Sequence, residues 1–267
     1  AAMRKHTAFI LTPISQILKE AAIATSDIES GIASYPVCDY IMQSLFLKMT
    51  GMQEQKLKCI CWELATDDYE LRYLRYKREP LGECSSYSDK KKVLFDLIHQ
   101  LEHISVGCSC ISEAEKEDFI NETKNELEEF YNHPQIKGWS QKPYYDFKAM
   151  FSRCNKKCLL FTNNNGKVVD LFGHCENCGQ KNTASDMSLC CLGTLIEAYE
   201  CLFKHRNRCA HNTSSFQQNL PTLETMDMPA YLFDNYYLRF AILILIDKIF
   251  IQLFRNYLDK CTPTFVP

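Results

Sequence analysis

The segment from Ala230 to Asp259 constrains the fold more than any other part of the chain. Its central stretch, Phe240 to Phe254, is strongly apolar and is interrupted by Asp247 and Lys248. The stretch falls short of the roughly 20 apolar residues that a membrane-spanning helix needs. A helix that is apolar around most of its circumference has to be buried on several sides. The segment therefore predicts the central helix of a helical domain.

Helical spacing of apolar residues continues along most of the chain, which predicts an all-α fold. The 267 residues are enough to bury an ample core, and 46% hydrophobic with 24% charged residues is typical of soluble globular proteins. We expect residues 1–150 to form the N-terminal helical part of a bundle. Residues 151–183 would form a small β-hairpin insertion, and residues 184–267 a pair of long helices.

Prolines, glycines and capping side chains predict where the N-terminal helices are interrupted. Pro13 should break the segment 4–24, one helix should end at Gly51 and another begin at Met52, and a loop is expected at 133–143. Ser88 or Asp89 can cap the following helix, and Ser112 opens a strongly acidic one.

A charged motif ends the apolar helix that is predicted from about Asp186 to His211. The apolar stripe of this helix leads directly into Arg206, and Asn207 and His211 lie along its edge. The stripe consists of Leu192, Leu195, Ile196, Tyr199, Leu202 and Phe203. Because burial of an unpaired charge costs several kcal/mol, Arg206 needs an anionic partner, a wet cleft or a subunit boundary.

The residue types of this motif match what metal-free RNA cleavage requires. The reaction needs groups that move protons at the 2′-hydroxyl and at the leaving oxygen, and a cation that stabilises the phosphorane. His211 carries the side chain best suited to proton transfer near neutral pH, and Arg206 offers a planar fork for phosphate. Asn207, one turn before His211, can orient the imidazole or bind phosphate. A basic helix end that complements the helix dipole is the alternative interpretation.

The segment Arg206-Asn207-x-x-x-His211, which lies between two long helices, resembles the motif of the HEPN superfamily. Those α-helical domains include many metal-independent endoribonucleases of toxin–antitoxin, antiviral defence and abortive-infection systems. The resemblance implies that Arg206, Asn207 and His211 are catalytic and that two motifs meet in a homodimer to cleave RNA, under control of a possible antitoxin or sensor partner. Thr213 stands where some members carry a modifiable Tyr, which departs from that mode of regulation. The alternative is a non-catalytic HEPN-like module that binds nucleic acid or a protein partner.

Four of the fifteen cysteines form two pairs around a predicted β-hairpin. Asn165-Gly166 suits a two-residue turn, in which Asn164 would face Lys167 and both cysteine pairs would meet at the open end. Tetrahedral Zn²⁺ with four thiolates fits this geometry, and such a closed site is structural and not catalytic. The predicted ligands are Cys154, Cys158, Cys175 and Cys178, with His174 as a possible replacement for one. Four reduced cysteines without a metal are the alternative.

The remaining features concern partners and location. A net charge of −3 provides no global basic field, so RNA binding would depend on local patches. One such patch, Tyr69 to Arg78, suits either a single-stranded RNA track or arginines lying over a packed tyrosine stripe. The N-terminus lacks the pattern of a secretory signal, and we expect a cytoplasmic protein with mostly reduced cysteines. His99 with His103 and the thiol of Cys209 are weaker candidates for a metal site and a nucleophile.

Overall fold

Helices make up nearly all of the part of the chain that the computed structural model describes, which confirms the all-α prediction for those residues. The described residues are 4–28, 34–104, 111–153, 163–164, 167–168, 195–211 and 235–261. Their helices are α1 (Thr7–Leu11), α2 (Gln16–Ala24), α3 (Tyr35–Asp67), α4 (Tyr69–Tyr73), α5 (Tyr87–Ile104), α6 (Glu113–Tyr131), α7 (Pro134–Arg153), α8 (Leu195–His211) and α9 (Tyr236–Cys261). A π-helical turn, Leu74–Arg78, continues α4.

Helix α9 is the centre of the bundle. It packs against α1, α3, α5, α6 and α7, and its side chains are buried almost continuously from Tyr237 to Tyr257. Burial on several sides is therefore confirmed. Only Arg255 and Asp259 of this helix are exposed, so its apolar surface is covered within one chain and requires no second copy. Within the described ranges, no helix is long and apolar enough to cross a membrane.

Helix α3 runs unbroken for 33 residues, so the predicted interruption at Gly51 is wrong. A glycine inside a helix costs about 1 kcal/mol relative to alanine. Phe46, Met49 and Leu57 on either side of Gly51 are each no more than 1% exposed. Burial of one such side chain stabilises by roughly 1.5–3 kcal/mol, which outweighs the cost of the glycine. The long helix brings residues of its middle third beside both α5 and α8.

Two local predictions hold at other helix ends. The chain breaks between α1 and α2 around Pro13, whose ring and missing N–H prevent a continuous helix. Ser112 caps α6 through a capping box, in which its hydroxyl accepts from the Glu115 amide and the Glu115 side chain accepts from the Ser112 amide. Both signals act within one turn, and packing elsewhere does not override them.

Two other local predictions are wrong. Helix α5 begins at Tyr87, where Ser86 and not Ser88 or Asp89 supplies the cap: Ser86 Oγ accepts from the Asp89 amide at 3.1 Å. Residues 134–153 form α7 and not a loop. This helix tolerates Pro143 through a kink at Ser140, whose φ is −118° and whose hydroxyl bonds to Tyr237 at 2.5 Å.

The described part of residues 151–183 contains a short antiparallel ladder. Strand β1 (Asn163–Asn164) pairs with β2 (Lys167–Val168), and Asn164 lies opposite Lys167. This is the pairing that a two-residue turn at 165–166 requires. The remainder of the insertion, including Cys154, Cys158, Cys175 and Cys178, lies outside the described residues, and the zinc knuckle stays a prediction.

An ion pair is buried between the two longest helices. Lys56 Nζ of α3 donates to Asp247 Oδ1 of α9 at 2.6 Å, and both side chains are at most 4% exposed. The second carboxylate oxygen of Asp247 accepts from the amide of Ile14 at 2.9 Å, and Ile14 lies within the break between α1 and α2. Asp247, which interrupts the apolar run in the sequence, thus connects α9 to α3 and to the segment between α1 and α2.

Candidate active site around Arg206

Helix α8 carries the predicted motif and packs against α3 and α5. The apolar stripe of the helix faces these neighbours, since Tyr199 and Leu202 are buried and Phe203 is partly buried. Arg206 follows the stripe by one turn and is 24% exposed at its side chain. The guanidinium therefore lies at the edge of the core, as the sequence predicts, and is partly open to solvent.

An anionic partner compensates the charge of Arg206. The Nη2 atom of Arg206 donates to Glu54 Oε2 at 3.2 Å, and Nη1 donates to Asn207 Oδ1 at 3.1 Å. Glu54 belongs to α3 and is 9% exposed. Burial raises the pKa of Glu54, while the positive charges of Arg206, Lys90 and Lys58 oppose that rise. The sequence left three possibilities for Arg206: an anionic partner, a wet cleft or a subunit boundary. The described structure contains the anionic partner, Glu54.

Two lysines add positive charge beside this pair. Lys90 of α5 is 1% exposed, and its Nζ donates to the Cys84 carbonyl at 3.0 Å. The pKa of Lys90 is lowered to about 8, mainly by burial; the charge of Glu54 opposes this shift and that of Arg206 contributes to it. Lys58 pairs with the exposed carboxylate of Glu83. With Lys90 protonated, the cluster of Arg206, Glu54, Lys90, Lys58 and Glu83 carries three cations and two anions.

The segment before α5 closes one side of the cluster. Cys84 adopts a φ of 59°, a conformation that non-glycine residues seldom take. Its carbonyl accepts from Lys90, and the next carbonyl, that of Ser85, accepts from the Tyr199 hydroxyl at 2.7 Å. Lys90 also lies 5.5 Å from the centre of the Tyr199 ring. At this left-handed position, the Cys84 carbonyl thus binds Lys90 of α5, and the carbonyl of the next residue, Ser85, binds Tyr199 of α8.

A second group of side chains surrounds His205. Its ring packs against Phe46 and Tyr236, with centroid distances of 5.6 and 5.8 Å. Its Nε2 lies 3.3 Å from the Tyr236 hydroxyl and 3.3 Å from Cys209 Sγ. The structure therefore brings Cys209 to a histidine, but the same nitrogen also contacts Tyr236. The contacts of His205 with Phe46 and Tyr236 connect α8 to α3 and α9. The contact between His205 and Cys209 does not by itself make the thiol an activated nucleophile.

His211 is the last residue of α8, so Asn207 and His211 lie one turn apart on a continuous helix. The side chain of His211 lies outside the described structure. The sequence did not single out Glu54 or Lys90. Each is one of many charged residues on its helix, and only the packing of α3, α5 and α8 brings them to Arg206.

The other metal-site candidates give no cluster in the described ranges. His99 and His103 are exposed on α5 with ring centroids 6.1 Å apart. Among those residues, no group of three or more His, Cys, Asp or Glu side chains could hold a metal ion. Comparisons with family models, curated proteins and solved structures find no match to this chain.

Proposed function

We propose that this protein is a metal-independent endoribonuclease of the HEPN type, in which Arg206, Asn207 and His211 act on one phosphodiester. The observation that carries the proposal is the arrangement of Arg206 at the end of α8. Its guanidinium is oriented from two sides by Glu54 and Asn207. A guanidinium has five N–H donors in a fixed fork, so donors remain for a phosphate oxygen. A cation that is held in place before substrate binds is what stabilisation of a transition state requires.

The surrounding charges support binding of an anion at this position. Glu54 neutralises Arg206 only in part, because Lys58 and Lys90 lie close enough to lower the pKa of the same carboxylate. When the Lys90 ammonium is protonated, the three cations of the cluster are balanced by the carboxylates of Glu54, Glu83 and the nearby Asp89. A phosphate at Arg206 would therefore be attracted by the placement of these three cations and not by an excess of positive charge, since the chain as a whole carries a net charge of −3.

The proposed reaction transfers two protons and breaks one bond. One imidazole takes the proton of the 2′-hydroxyl, and the resulting oxygen attacks phosphorus. The P–O5′ bond breaks, and the leaving oxygen receives a proton from a second acid. In a homodimer of the HEPN type the two His211 side chains would supply both groups, while Arg206 stabilises the phosphorane. The products are a 2′,3′-cyclic phosphate and a 5′-hydroxyl.

The experiment uses purified protein and total RNA in the presence of EDTA. Wild-type protein should cleave, and Arg206→Ala and His211→Ala should each reduce cleavage by at least about a hundredfold. Lys204→Ala is the matched control, since Lys204 is an exposed cation on the same helix, and it should cleave like wild type. Near wild-type cleavage by both motif variants, or products with 5′-phosphate ends, would refute the mechanism.

The second candidate function is a non-catalytic module that binds nucleic acid or a protein partner. The observation that favours it is the same ion pair, because Glu54 satisfies Arg206 without any ligand. Such a module would bind RNA without cleaving it. Three further features belong to both the nuclease and the non-catalytic proposal. They are the zinc knuckle, an antitoxin or sensor partner, and a role in cytoplasmic defence or growth arrest.

A further inference from the structure

Four large aromatic side chains form an exposed surface next to the end of α3. Tyr69 and Tyr73 of α4 are 77% and 52% exposed, Tyr76 of the π-helical turn is 47% exposed, and Trp62 of α3 is 53% exposed. The rings of Trp62 and Tyr76 meet edge to face at 5.9 Å. We call these four residues the aromatic track. The interpretation of this segment as a packed tyrosine stripe is therefore wrong, because its rings face solvent.

Helical geometry places the two tyrosines of α4 on one face. At about 100° per residue, Tyr69 and Tyr73 fall within roughly 40° of one another around α4, and Tyr76 of the π-helical turn contacts Trp62. The helix is anchored at its start by Asp68, whose carboxylate accepts from the amides of Glu70 and Leu71. The rings thus project from a backbone that is fixed before any ligand binds, and ordering them costs little entropy.

Basic side chains flank the track. Arg72, Lys77 and Arg78 are exposed, and in the described structure none of them forms an ion pair with a carboxylate. Arg75 has a different role: its Nε and Nη2 atoms donate to Asp96 of α5 at 2.5 and 2.6 Å. The acidic side chains on this segment are Glu70 and Glu79, and Glu79 lies 3.8 Å from Arg75. Among the described residues, three exposed cations without a carboxylate partner therefore lie on the same segment as the tyrosine rings.

We propose that the aromatic track binds single-stranded RNA, with bases stacked on the rings and phosphates held by Arg72, Lys77 and Arg78. Exposed aromatic rings interleaved with cations are the combination that sequence-tolerant single-strand binding uses. A partner protein with an acidic surface would use the cations but would leave four solvated rings unexplained.

The position of the track relative to Arg206 extends the proposed function, on which this part of the inference rests. Trp62 follows Glu54 on the same helix by eight residues, or roughly 12 Å along its axis. Glu54 in turn holds Arg206. A single strand that reaches Trp62 would therefore lie slightly more than two helical turns along α3 from the residue that holds Arg206.

Binding is tested with an oligouridine of about 12 nucleotides whose 2′-oxygens are methylated. This probe cannot undergo 2′-hydroxyl attack, so binding is measured whether or not the protein is a nuclease. Wild-type protein should bind it, and Tyr69→Ala together with Tyr73→Ala should weaken binding by about fivefold to a hundredfold for each ring removed. Tyr69→Phe with Tyr73→Phe keeps the stacking faces and should bind like wild type.

Two further variants make the test specific. Tyr40→Ala removes a tyrosine of α3 that is 71% exposed but lies outside the track, and binding should not change. Arg72→Gln with Arg78→Gln should weaken binding and reduce its dependence on salt. Absence of binding by wild-type protein at low salt, or equal losses in the track and Tyr40 variants, would overturn the proposal. Binding that persists without RNA cleavage would contradict only the proposed nuclease.

Discussion

Glu54 and Arg206 are 152 positions apart in the chain, yet Arg206 Nη2 lies 3.2 Å from both carboxylate oxygens of Glu54. The pair joins the middle of α3 to the end of α8. Glu54 is mostly buried, and Arg206 is partly open to solvent. The carboxylate therefore determines the direction of the guanidinium at the point where the proposed substrate would bind.

Replacement of Glu54 should impair cleavage through the orientation of Arg206. We expect Glu54→Gln to lower kcat by roughly tenfold to a hundredfold, because a misplaced catalytic group can cost that much. Glu54→Asp keeps the charge and should recover part of kcat. Single-turnover cleavage is measured beside thermal unfolding. The control Glu83→Gln changes an exposed carboxylate of the same cluster and should leave kcat unaltered. Equal kcat in Glu54→Gln and wild type would mean that Glu54 serves stability alone.

The buried Lys90 should make stability depend on pH in the alkaline range. Its pKa falls from 10.5 to about 8 on folding because of burial, so the unfolded chain holds the proton over a pH range in which the folded chain has released it. The free energy of unfolding should therefore rise between pH 8 and 10.5, by an amount on the order of 3 kcal/mol. Glu54, Asp89, Cys84 and Arg206 also influence this titration.

Urea unfolding of wild type and Lys90→Met across that pH range isolates the lysine. Burial raises the pKa of the Cys61 and Cys84 thiols, which lowers stability at high pH in both proteins. The difference between the two proteins removes the effect of Cys61, and a Cys84→Ala background removes that of Cys84, whose pKa also responds to Lys90. A difference that stays constant with pH would show that Lys90 keeps its proton in the fold.

The buried Lys56–Asp247 pair should be sensitive to loss of one partner. Asp247→Asn leaves Lys56 in the core without its counter-charge, which should cost about 3–5 kcal/mol. Lys56→Met combined with Asp247→Asn should recover most of that loss, since no buried charge remains. Asp146→Asn breaks the exposed pair with Lys142 and should cost about 0.5 kcal/mol or less. Chemical denaturation of the four proteins checks this, and equal losses at Asp247 and Asp146 would contradict it.

Zinc should be found at about one ion per chain by elemental analysis, as a single four-thiolate site requires. Cys175→Ser together with Cys178→Ser should remove it and lower the melting temperature more than it changes cleavage, because a closed site is structural. Cys59→Ser, a change at a free cysteine of α3, should leave the zinc content unchanged. Metal-free wild-type protein would eliminate the knuckle.

Local signals predicted the elements whose causes are local. The break at Pro13 and the capping box at Ser112 each depend on one turn of backbone. The burial of α9 follows from apolar residues around most of its circumference. The same signals failed at Gly51 and around Pro143, because there the burial of neighbouring side chains outweighs a local preference for interruption.

The sequence by itself determined that Arg206 lies where an apolar stripe ends and that its charge needs compensation. Only the tertiary structure decided that Glu54 provides it, beside Lys90 and the carbonyls that follow the left-handed Cys84. Helical periodicity repeats within a single segment, so one sequence is enough to reveal it. The partner of a residue 152 positions away depends on the rotation and shift of α3 against α8, and the packing of the whole core sets both.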